Sequence, residues 1–436
     1  MIASRTSTPA TERAALVGVA LGAGTRDDSN ASLEELAGLA HAAGAAVAFT
    51  TLQERRAPDP ATFIGKGKVQ SLAAACAEAD VDVVIVDNEL TPSQLRHLTD
   101  ELGCKVVDRT QLILDIFARR ARTREGKRQV ELAQLKYLLP RLAGSGTALS
   151  RLGGGIGTRG PGETKLETDR RRIRARIEAL QREIDQVRQR RGHIRERRHK
   201  AAVPTVALVG YTNAGKTTLF NRLAREEAVA SNALFVTLDP LTRAVRLPEA
   251  GEVLLTDTVG FIDRLPHALV AAFRATLEEV AEADVLLHVV DASQAERDRQ
   301  TAAVTRVLAE VGADAVDTIE VYNKIDALPA DEREALRGRH PEAVLVSART
   351  GTGVAELMAR LAVVTELDTV RVTLTYDVTD ESDRARIAHL YRVGRVVTQE
   401  NRGRRTVVEA DVPRRLSKRL VDDGRPAAPA PVVRPR

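Results

Sequence analysis

The stretch TVALVGYTNAGKTTLFNRLA, residues 205–224, decides the fold of the central part of the chain. Its first half is an apolar run typical of a buried strand, and its last third has the spacing of an amphipathic helix. Between them Gly210–Thr217 (GYTNAGKT) fits the pattern G-x-x-x-x-G-K-[ST]. A strand, a glycine-rich loop and a helix in this order predict a P-loop, whose backbone N–H groups and helix N-terminus hold phosphates.

Two side chains of this loop carry charge or metal chemistry. The Lys216 ammonium would neutralise phosphate oxygens, and the Thr217 hydroxyl would coordinate Mg²⁺. A glycine-rich turn without a ligand is the alternative, and the surrounding strand and helix patterns disfavour it. The positions that we assign to phosphate binding are Gly210, Tyr211, Thr212, Asn213, Ala214, Gly215, Lys216 and Thr217.

Two later segments complete a predicted site for the γ-phosphate and the metal. Asp257–Gly260 (DTVG) follows the strand pattern EVLLT, so its carboxylate would reach Mg²⁺ through water and its glycine N–H would face the γ-phosphate. Leu234–Pro240 (LFVTLDP) offers Thr237 as a second Mg²⁺ ligand, with a surface β-turn as the alternative. The positions assigned here are Phe235, Val236, Thr237, Leu238, Asp239, Asp257, Thr258, Val259 and Gly260.

Two short strings predict which base is bound. Asn323–Asp326 (NKID) follows the strand pattern TIEVY, and its terminal carboxylate can accept hydrogen bonds from guanine N1–H and N2–H₂. Ser347–Arg349 (SAR) follows AVLV, where a backbone N–H can reach guanine O6. Four strings in this order, each at a predicted strand end, indicate a guanine-nucleotide site. The assigned positions are Asn323, Lys324, Ile325, Asp326, Ser347, Ala348 and Arg349.

The chemistry of GTP hydrolysis would depend on few of these side chains. Lys216, Thr237 and Gly260 are the candidate catalytic residues, and Thr217 and Thr237 are the candidate metal ligands. Phe261 stands where many GTPases carry a glutamine that orients the attacking water. A phenyl ring can neither donate nor accept the hydrogen bonds needed, so we expect slow intrinsic hydrolysis.

The regions before the P-loop predict a parallel sheet followed by a helical hairpin. From Ala14 to Asp108 short β-type runs alternate with helical patterns, which is typical of a parallel α/β sheet. Thr110–Leu142 has a helical pattern, interrupted by the basic stretch RRARTREGKRQ. A later helix carries a heptad stripe, so we predict an antiparallel hairpin closed by the loop Gly153–Gly162. The stripe consists of Leu166, Ile173, Ile177, Leu180, Ile184, Val187 and Ile194.

The fold class predicted for the whole chain is α/β, with three parts, the first of which carries a helical hairpin, and two tails. We place a tail at 1–11, an N-terminal α/β domain at 12–110 and the helical hairpin with its Gly-rich loop at 111–200. A P-loop GTPase domain at 203–366, a small α+β C-terminal domain at 367–420 and a disordered basic tail at 421–436 follow.

Composition limits the functional classes. With 436 residues, 43% hydrophobic and 29% charged, the chain is neither a membrane protein nor disordered as a whole, and no apolar run is long enough to span a bilayer. Two cysteines cannot form a disulfide framework, so we expect a cytoplasmic protein. Residues 165–200 contain fourteen Lys and Arg against six Asp and Glu. This excess favours phosphate contacts with RNA, the alternative being a solvated helix face.

The strings DTVGFI and LFVTLDPLTR, together with TFIGKGKV and GGGIGTRGPGETKLETDRRRIR, resemble the HflX family of the Obg–HflX group of translation-factor-related P-loop GTPases, over about residues 14 to 420. The resemblance implies a GTPase that binds the large ribosomal subunit and its rRNA and splits or rescues stalled ribosomes. We also expect Mg²⁺ as the cofactor, a monomer, and stimulation of the slow hydrolysis by ribosomes. Asn213 matches a position where some related GTPases hold K⁺ against the phosphates.

Two alternative functions stay open at this point. One is a GTPase for large-subunit assembly or quality control that splits nothing, and the other is an ATP-dependent RNA-remodelling protein. ATP-dependent activity of the N-terminal domain has been proposed in the family that the chain resembles, and Gly65–Lys68 (GKGK) is a candidate second nucleotide site. This string lacks the four-residue spacer and the following Ser or Thr, which favours a basic turn that contacts RNA.

Overall fold

A computed structural model describes residues 11–21, 26–142, 161–200, 203–225, 234–235, 237–248, 251–263, 279–365, 367 and 369–423. Contacts divide the chain into two compact units. Unit 1 comprises Met1–Arg195, Val229–Pro240 and Val259–Glu278, and unit 2 comprises Glu196–Ala228, Leu241–Thr258 and Glu279–Arg436. Among the predictions, the N-terminal tail up to residue 10, the loop up to Gly160, Val236 and the tail beyond residue 423 lie outside the described residues.

Unit 1 begins with a parallel sheet of four strands in the order β2-β1-β3-β4. The strand β3 is a run of four buried apolar residues, as expected for a strand covered on both faces. The predicted alternation of strands and helices is confirmed. The elements are β1 (Arg13–Leu21), α1 (Arg26–Ala42), β2 (Ala46–Arg55), α2 (Lys66–Glu78), β3 (Val83–Val86), α3 (Pro92–Leu102) and β4 (Lys105–Asp108).

The GKGK string forms the first turn of a helix rather than a turn between elements. Gly65 is the N-cap of α2, and its N–H donates to the Gln53 side chain at 3.0 Å. The following Lys66 is exposed. Two glycines so close to the helix start explain why the pattern looked like a turn, since glycine is a poor helix former.

Two helices follow the sheet with only a three-residue break between them. They are α4 (Arg109–Arg120) and α5 (Arg124–Arg141). The break is much shorter than the basic stretch at which we expected the interruption. The reason is the Thr123 side chain, which accepts a hydrogen bond from the Gly126 N–H at 2.9 Å and so starts α5 at once.

The predicted antiparallel hairpin is formed by α5 and the long helix α6 (Pro161–Lys200). Leu180 and Ile184 of the heptad stripe are buried against Leu132 and Leu135. Two ion pairs show that the helices run in opposite directions, because the residue number on α6 decreases as the residue number on α5 increases. They are Arg128–Glu183 at 2.6 Å and Glu131–Arg176 at 2.7 Å. Of the helices in the described ranges, none has both the length and the apolar character that a membrane span requires.

Unit 2 contains a six-stranded sheet in the order β10-β9-β8-β5-β7-β6, in which only β6 runs antiparallel to its neighbour. All seven residues of β8 are buried, which marks it as a central strand. Its elements are β5 (Thr205–Gly210), α7 (Lys216–Ala224), β6 (Leu241–Leu247), β7 (Gly251–Asp257), β8 (Val285–Asp291), α8 (Arg297–Glu310), β9 (Asp317–Asn323), α9 (Ala330–Arg339), β10 (Val344–Leu345) and α10 (Val354–Val364).

The last part of unit 2 is a three-stranded antiparallel sheet in the order β11-β13-β12. Buried and less buried residues alternate along β11 and β13, so one face carries the core. Its elements are β11 (Thr369–Asp377), α11 (Glu381–Val393), β12 (Arg395–Arg402), β13 (Arg405–Pro413) and α12 (Arg414–Asp423). The helix α12 continues beyond residue 420, where we expected the domain to end.

Candidate functional site

Two glycines give the P-loop its shape. Gly210 ends β5 with φ of 147°, and a Cβ there would lie 2.2 Å from the backbone oxygen of Val289. Gly215 precedes α7 with φ of 92°, and a Cβ there would lie 2.3 Å from the Asn323 side chain. Neither position can accept a side chain without moving its neighbour. The loop therefore has the strand, the glycines and the helix that the sequence predicts.

Lys216 lies buried within this loop. Its ammonium donates hydrogen bonds to the backbone oxygens of Gly210 at 3.0 Å and Tyr211 at 2.8 Å. Burial lowers the pKa of Lys216 to about 8, and the Asp257 carboxylate opposes that shift. Two neutral carbonyls compensate a buried ammonium only in part, so an anionic phosphate group is a favoured partner for it.

Thr217, a predicted Mg²⁺ ligand, is in contact with Asp257, whose carboxylate was predicted to reach Mg²⁺ through water. The Thr217 hydroxyl donates to the Asp257 carboxylate at 2.8 Å, and that carboxylate is fully buried at the end of β7. Hydroxyl and carboxylate oxygens are ligands that suit Mg²⁺, directly or through water. Thr258 has another role, because its hydroxyl donates to the backbone oxygen of Leu208 at 2.6 Å and ties the end of β7 to β5.

A single buried amide joins the P-loop to the predicted base-binding strings. The Asn323 side chain, 2% exposed, donates to the Ala214 backbone oxygen and accepts from the Ala348 N–H, each at 2.9 Å. Ala214 and Ala348 lie in two different loops, and Asn323 ends β9, 109 positions from Ala214 in the chain. The structure thus brings together GYTNAGKT, NKID and SAR at one edge of the sheet.

The carboxylate predicted to read guanine is held by hydrogen bonds. Ser347 donates to one Asp326 oxygen at 2.6 Å, and the Arg349 guanidinium lies 2.6 Å from the other. The Ser347 hydroxyl, followed by the Arg349 charge, holds the pKa of Asp326 below its ordinary value although burial opposes them. The group is therefore an ionised pair of acceptors at neutral pH, which matches two N–H donors on one base edge.

The sequence-based reading missed three residues that support this site. Asp291 ends β8 and pairs with the Lys324 ammonium at 2.6 Å, which holds the left-handed backbone of that lysine in place. Arg222 of α7 donates to the Ala348 backbone oxygen at 3.1 Å. His288 is buried in β8, where burial and then Lys216 lower its pKa to about 4. A sequence signal for Asp291 was available, since it ends the apolar run VLLHVVD as Asp257 ends EVLLTD.

The remaining predicted site residues belong to unit 1. Phe235 and Leu238 are buried, and Thr237 lies between them in the chain. The Asp239 carboxylate accepts hydrogen bonds from the backbone N–H groups of Arg122 and Thr123, which lie between α4 and α5 in unit 1. Val259 and Phe261 are also buried on either side of Gly260, so the Phe261 ring is removed from solvent.

Family models of GTP-binding proteins match three successive regions of the chain. A family model described as 50S ribosome-binding GTPase matches residues 205–324. Models described as GTP-binding GTPase N-terminal and GTP-binding GTPase Middle Region match residues 30–118 and 120–198.

Full-length relatives are similar along most of the chain. GTPase HflX of Caldanaerobacter subterraneus subsp. tengcongensis is 45% identical, covering 94% of this chain and 93% of the relative. GTPase HflX of Escherichia coli (strain K12) is 48% identical, covering 77% of this chain and 80% of the relative. A crystal structure of a GTP-binding protein from Sulfolobus solfataricus in complex with GDP is 25% identical, with a TM-score of 0.42 over 81% of this chain and 99% of that chain.

The depressed pKa of Lys216 predicts proton uptake when a nucleotide binds. Phosphate oxygens favour the charged ammonium, so they raise a pKa that starts near 8. At pH 8.5 we expect GDP binding to be accompanied by the uptake of a large fraction of one proton per site. Titration calorimetry in buffers of different ionisation enthalpy measures this uptake. In Lys216→Arg the guanidinium is already protonated before the nucleotide binds, so the proton uptake should vanish. Equal uptake in both proteins would assign the proton elsewhere.

Replacing the base-reading carboxylate should change which purine is preferred. Asp326→Asn loses one acceptor and gains a donor, so we expect guanine nucleotides to bind at least about a hundredfold more weakly and xanthosine nucleotides to gain. Competition binding with GDP and XDP measures both. Asp331→Asn, an exposed carboxylate on α9, is the matched control. An unchanged preference in Asp326→Asn would show that another group reads the base.

Proposed function

Because this chain belongs to the HflX family of GTPases and hydrolyses GTP to GDP and phosphate, we propose that it is a ribosome-associated factor. In this proposal its GTP-bound form binds the large ribosomal subunit and its rRNA, and splits or rescues stalled ribosomes. Hydrolysis then releases the factor. We further propose that it acts in the cytoplasm as a monomer.

The observation that carries the proposal is the row of exposed arginines on α6. Arg171, Arg172, Arg174, Arg176 and Arg182 of this helix all have exposed side chains. Where acidic partners are present, as in the pairs that involve Arg172 and Arg182, the pairs lie at the surface. Exposed ion pairs contribute little stability and can be exchanged for phosphate contacts. Leu180 and Ile184 on the heptad face of the same helix are buried against α5, which supports this part of the helix.

The nucleotide site supplies the groups that a GTPase needs. Lys216 would neutralise the phosphates, and Thr217 with Thr237 would hold Mg²⁺, which stabilises negative charge on the transferred phosphoryl group. The Gly260 N–H would face the γ-phosphate. Asn213, whose backbone is left-handed, is the candidate contact for a K⁺ ion.

The buried Phe261 ring bears on regulation. Since it offers no hydrogen bond to an attacking water, the free protein should hydrolyse GTP slowly. Ribosome contact would then reorder the segments around Thr237 and Gly260 and supply the missing positioning. This is the feature that makes hydrolysis depend on the target.

The test combines GTP turnover with sucrose gradients of intact ribosomes. We expect purified large subunits to raise turnover, and we expect the protein with a non-hydrolysable GTP analogue to separate ribosomes into subunits. Arg171→Glu with Arg174→Glu should weaken both effects and reduce the salt dependence of binding. The control is the same double reversal at Arg333 and Arg337, two exposed arginines of α9.

The outcomes also distinguish the alternatives. Binding and stimulation without separation would favour an assembly or quality-control GTPase. Unchanged turnover with subunits would contradict ribosome-dependent activation. Release of subunits driven by ATP, and preserved in Asp326→Asn, would instead favour an RNA-remodelling activity in the N-terminal domain.

A further inference from the structure

The segment that carries Thr237 is anchored in unit 1 by an aromatic contact. The Phe235 ring is 2% exposed and meets Phe117 of α4 edge-on, with ring centroids 4.7 Å apart and an interplanar angle of 87°. Phe235 has a φ of 55°, which side-chain-bearing residues rarely adopt. The buried ring contact compensates for that unfavourable backbone, so this anchor is an organised part of the unit.

A second anchor lies two residues after Thr237. The Asp239 carboxylate accepts the backbone N–H groups of Arg122 and Thr123, each at 2.9 Å, and also the Thr123 hydroxyl. Thr123 is the N-cap of α5, so the carboxylate binds at the positive end of that helix. Three hydrogen bonds to one charged group hold this end of the segment.

A helical glycine lies next to the Asp239 carboxylate. Gly126 lies in the first turn of α5, where alanine would be the better helix former. A Cβ at this position would lie 2.3 Å from an Asp239 carboxylate oxygen. The missing side chain therefore makes the space that the carboxylate fills, and the N-terminus of α5 is shaped to receive it.

We propose that Asp239 is a positioning residue for Thr237, acting with Phe235 to hold Thr237 between two fixed points on α4 and α5. The proposal rests on the role of Thr237 as a Mg²⁺ ligand given above. A threonine flanked by two anchored residues loses less conformational entropy when the γ-phosphate and Mg²⁺ engage it. The anchors therefore favour binding of the triphosphate over the diphosphate. Because such coupling is reciprocal, binding of the triphosphate also strengthens the contact between Asp239 and α5.

The test compares the affinities of GDP and a non-hydrolysable GTP analogue, each with Mg²⁺. In Asp239→Ala and Gly126→Ala we expect the ratio of triphosphate to diphosphate affinity to fall about tenfold, as for the loss of a helix-capping group. The two changes remove the same contact from its two sides, so the double variant should lose no more than either single variant. Circular dichroism checks that both variants fold.

Gly338→Ala is the matched control, because a Cβ at that helical glycine of α9 meets nothing within 4 Å. An unchanged ratio in both variants would show that Asp239 only caps α5, and an increased ratio would show that the anchors hold Thr237 away from the nucleotide. Either result overturns the proposal. Thr237→Ala tests the metal-ligand role of Thr237 separately from the positioning role of Asp239. If it leaves the ratio unchanged, the metal-ligand role fails first and the positioning role fails with it.

Discussion

The nucleotide site depends on one buried side-chain amide. Asn323 is the last residue of β9, and its two hydrogen bonds of 2.9 Å reach the Ala214 oxygen of the P-loop and the Ala348 N–H of the SAR string. Without that amide both backbone groups would lie buried and unpaired, which is costly. Gly215 makes room for it, since any Cβ there would collide with the Asn323 side chain. One interaction thus fixes the distance between the phosphate-binding and base-binding loops.

The chemistry around this amide follows from the parallel sheet. Strands that run in the same direction deliver their C-terminal residues to one edge, and Asp257, Asp291 and Asn323 are such residues. The two carboxylates have partners. Thr217 donates a hydrogen bond to Asp257, and Lys324 forms an ion pair with Asp291. The buried Lys216 faces mainly carbonyl oxygens. The edge therefore combines carboxylates with a buried ammonium, a set of groups that suits an anionic ligand and a metal ion.

The sequence predicted the features that depend on local pattern. The P-loop, the strand-end strings and the antiparallel hairpin could be read because apolar periodicity and glycine spacing are visible within short windows. Contacts between distant positions could not be read. Asp239 was assigned to the nucleotide, but its side chain binds Thr123, 116 positions earlier in the chain, and the sequence around Asp239 does not indicate that pairing. Gly126 in α5 was the available trace, because a glycine within a helix often marks a close approach by another group.

The central claim is that Asn323 makes one guanine-nucleotide site out of separate loops, and Asn323→Ala tests it most directly. Titration calorimetry with GDP should show a loss of affinity of about ten- to a hundredfold, since two buried backbone groups lose their partners. Asn401→Ala, in β12 of the three-stranded antiparallel sheet, is the control and should bind GDP as the unmodified chain does. GDP affinity within about twofold of the unmodified chain in a folded Asn323→Ala protein would contradict the account.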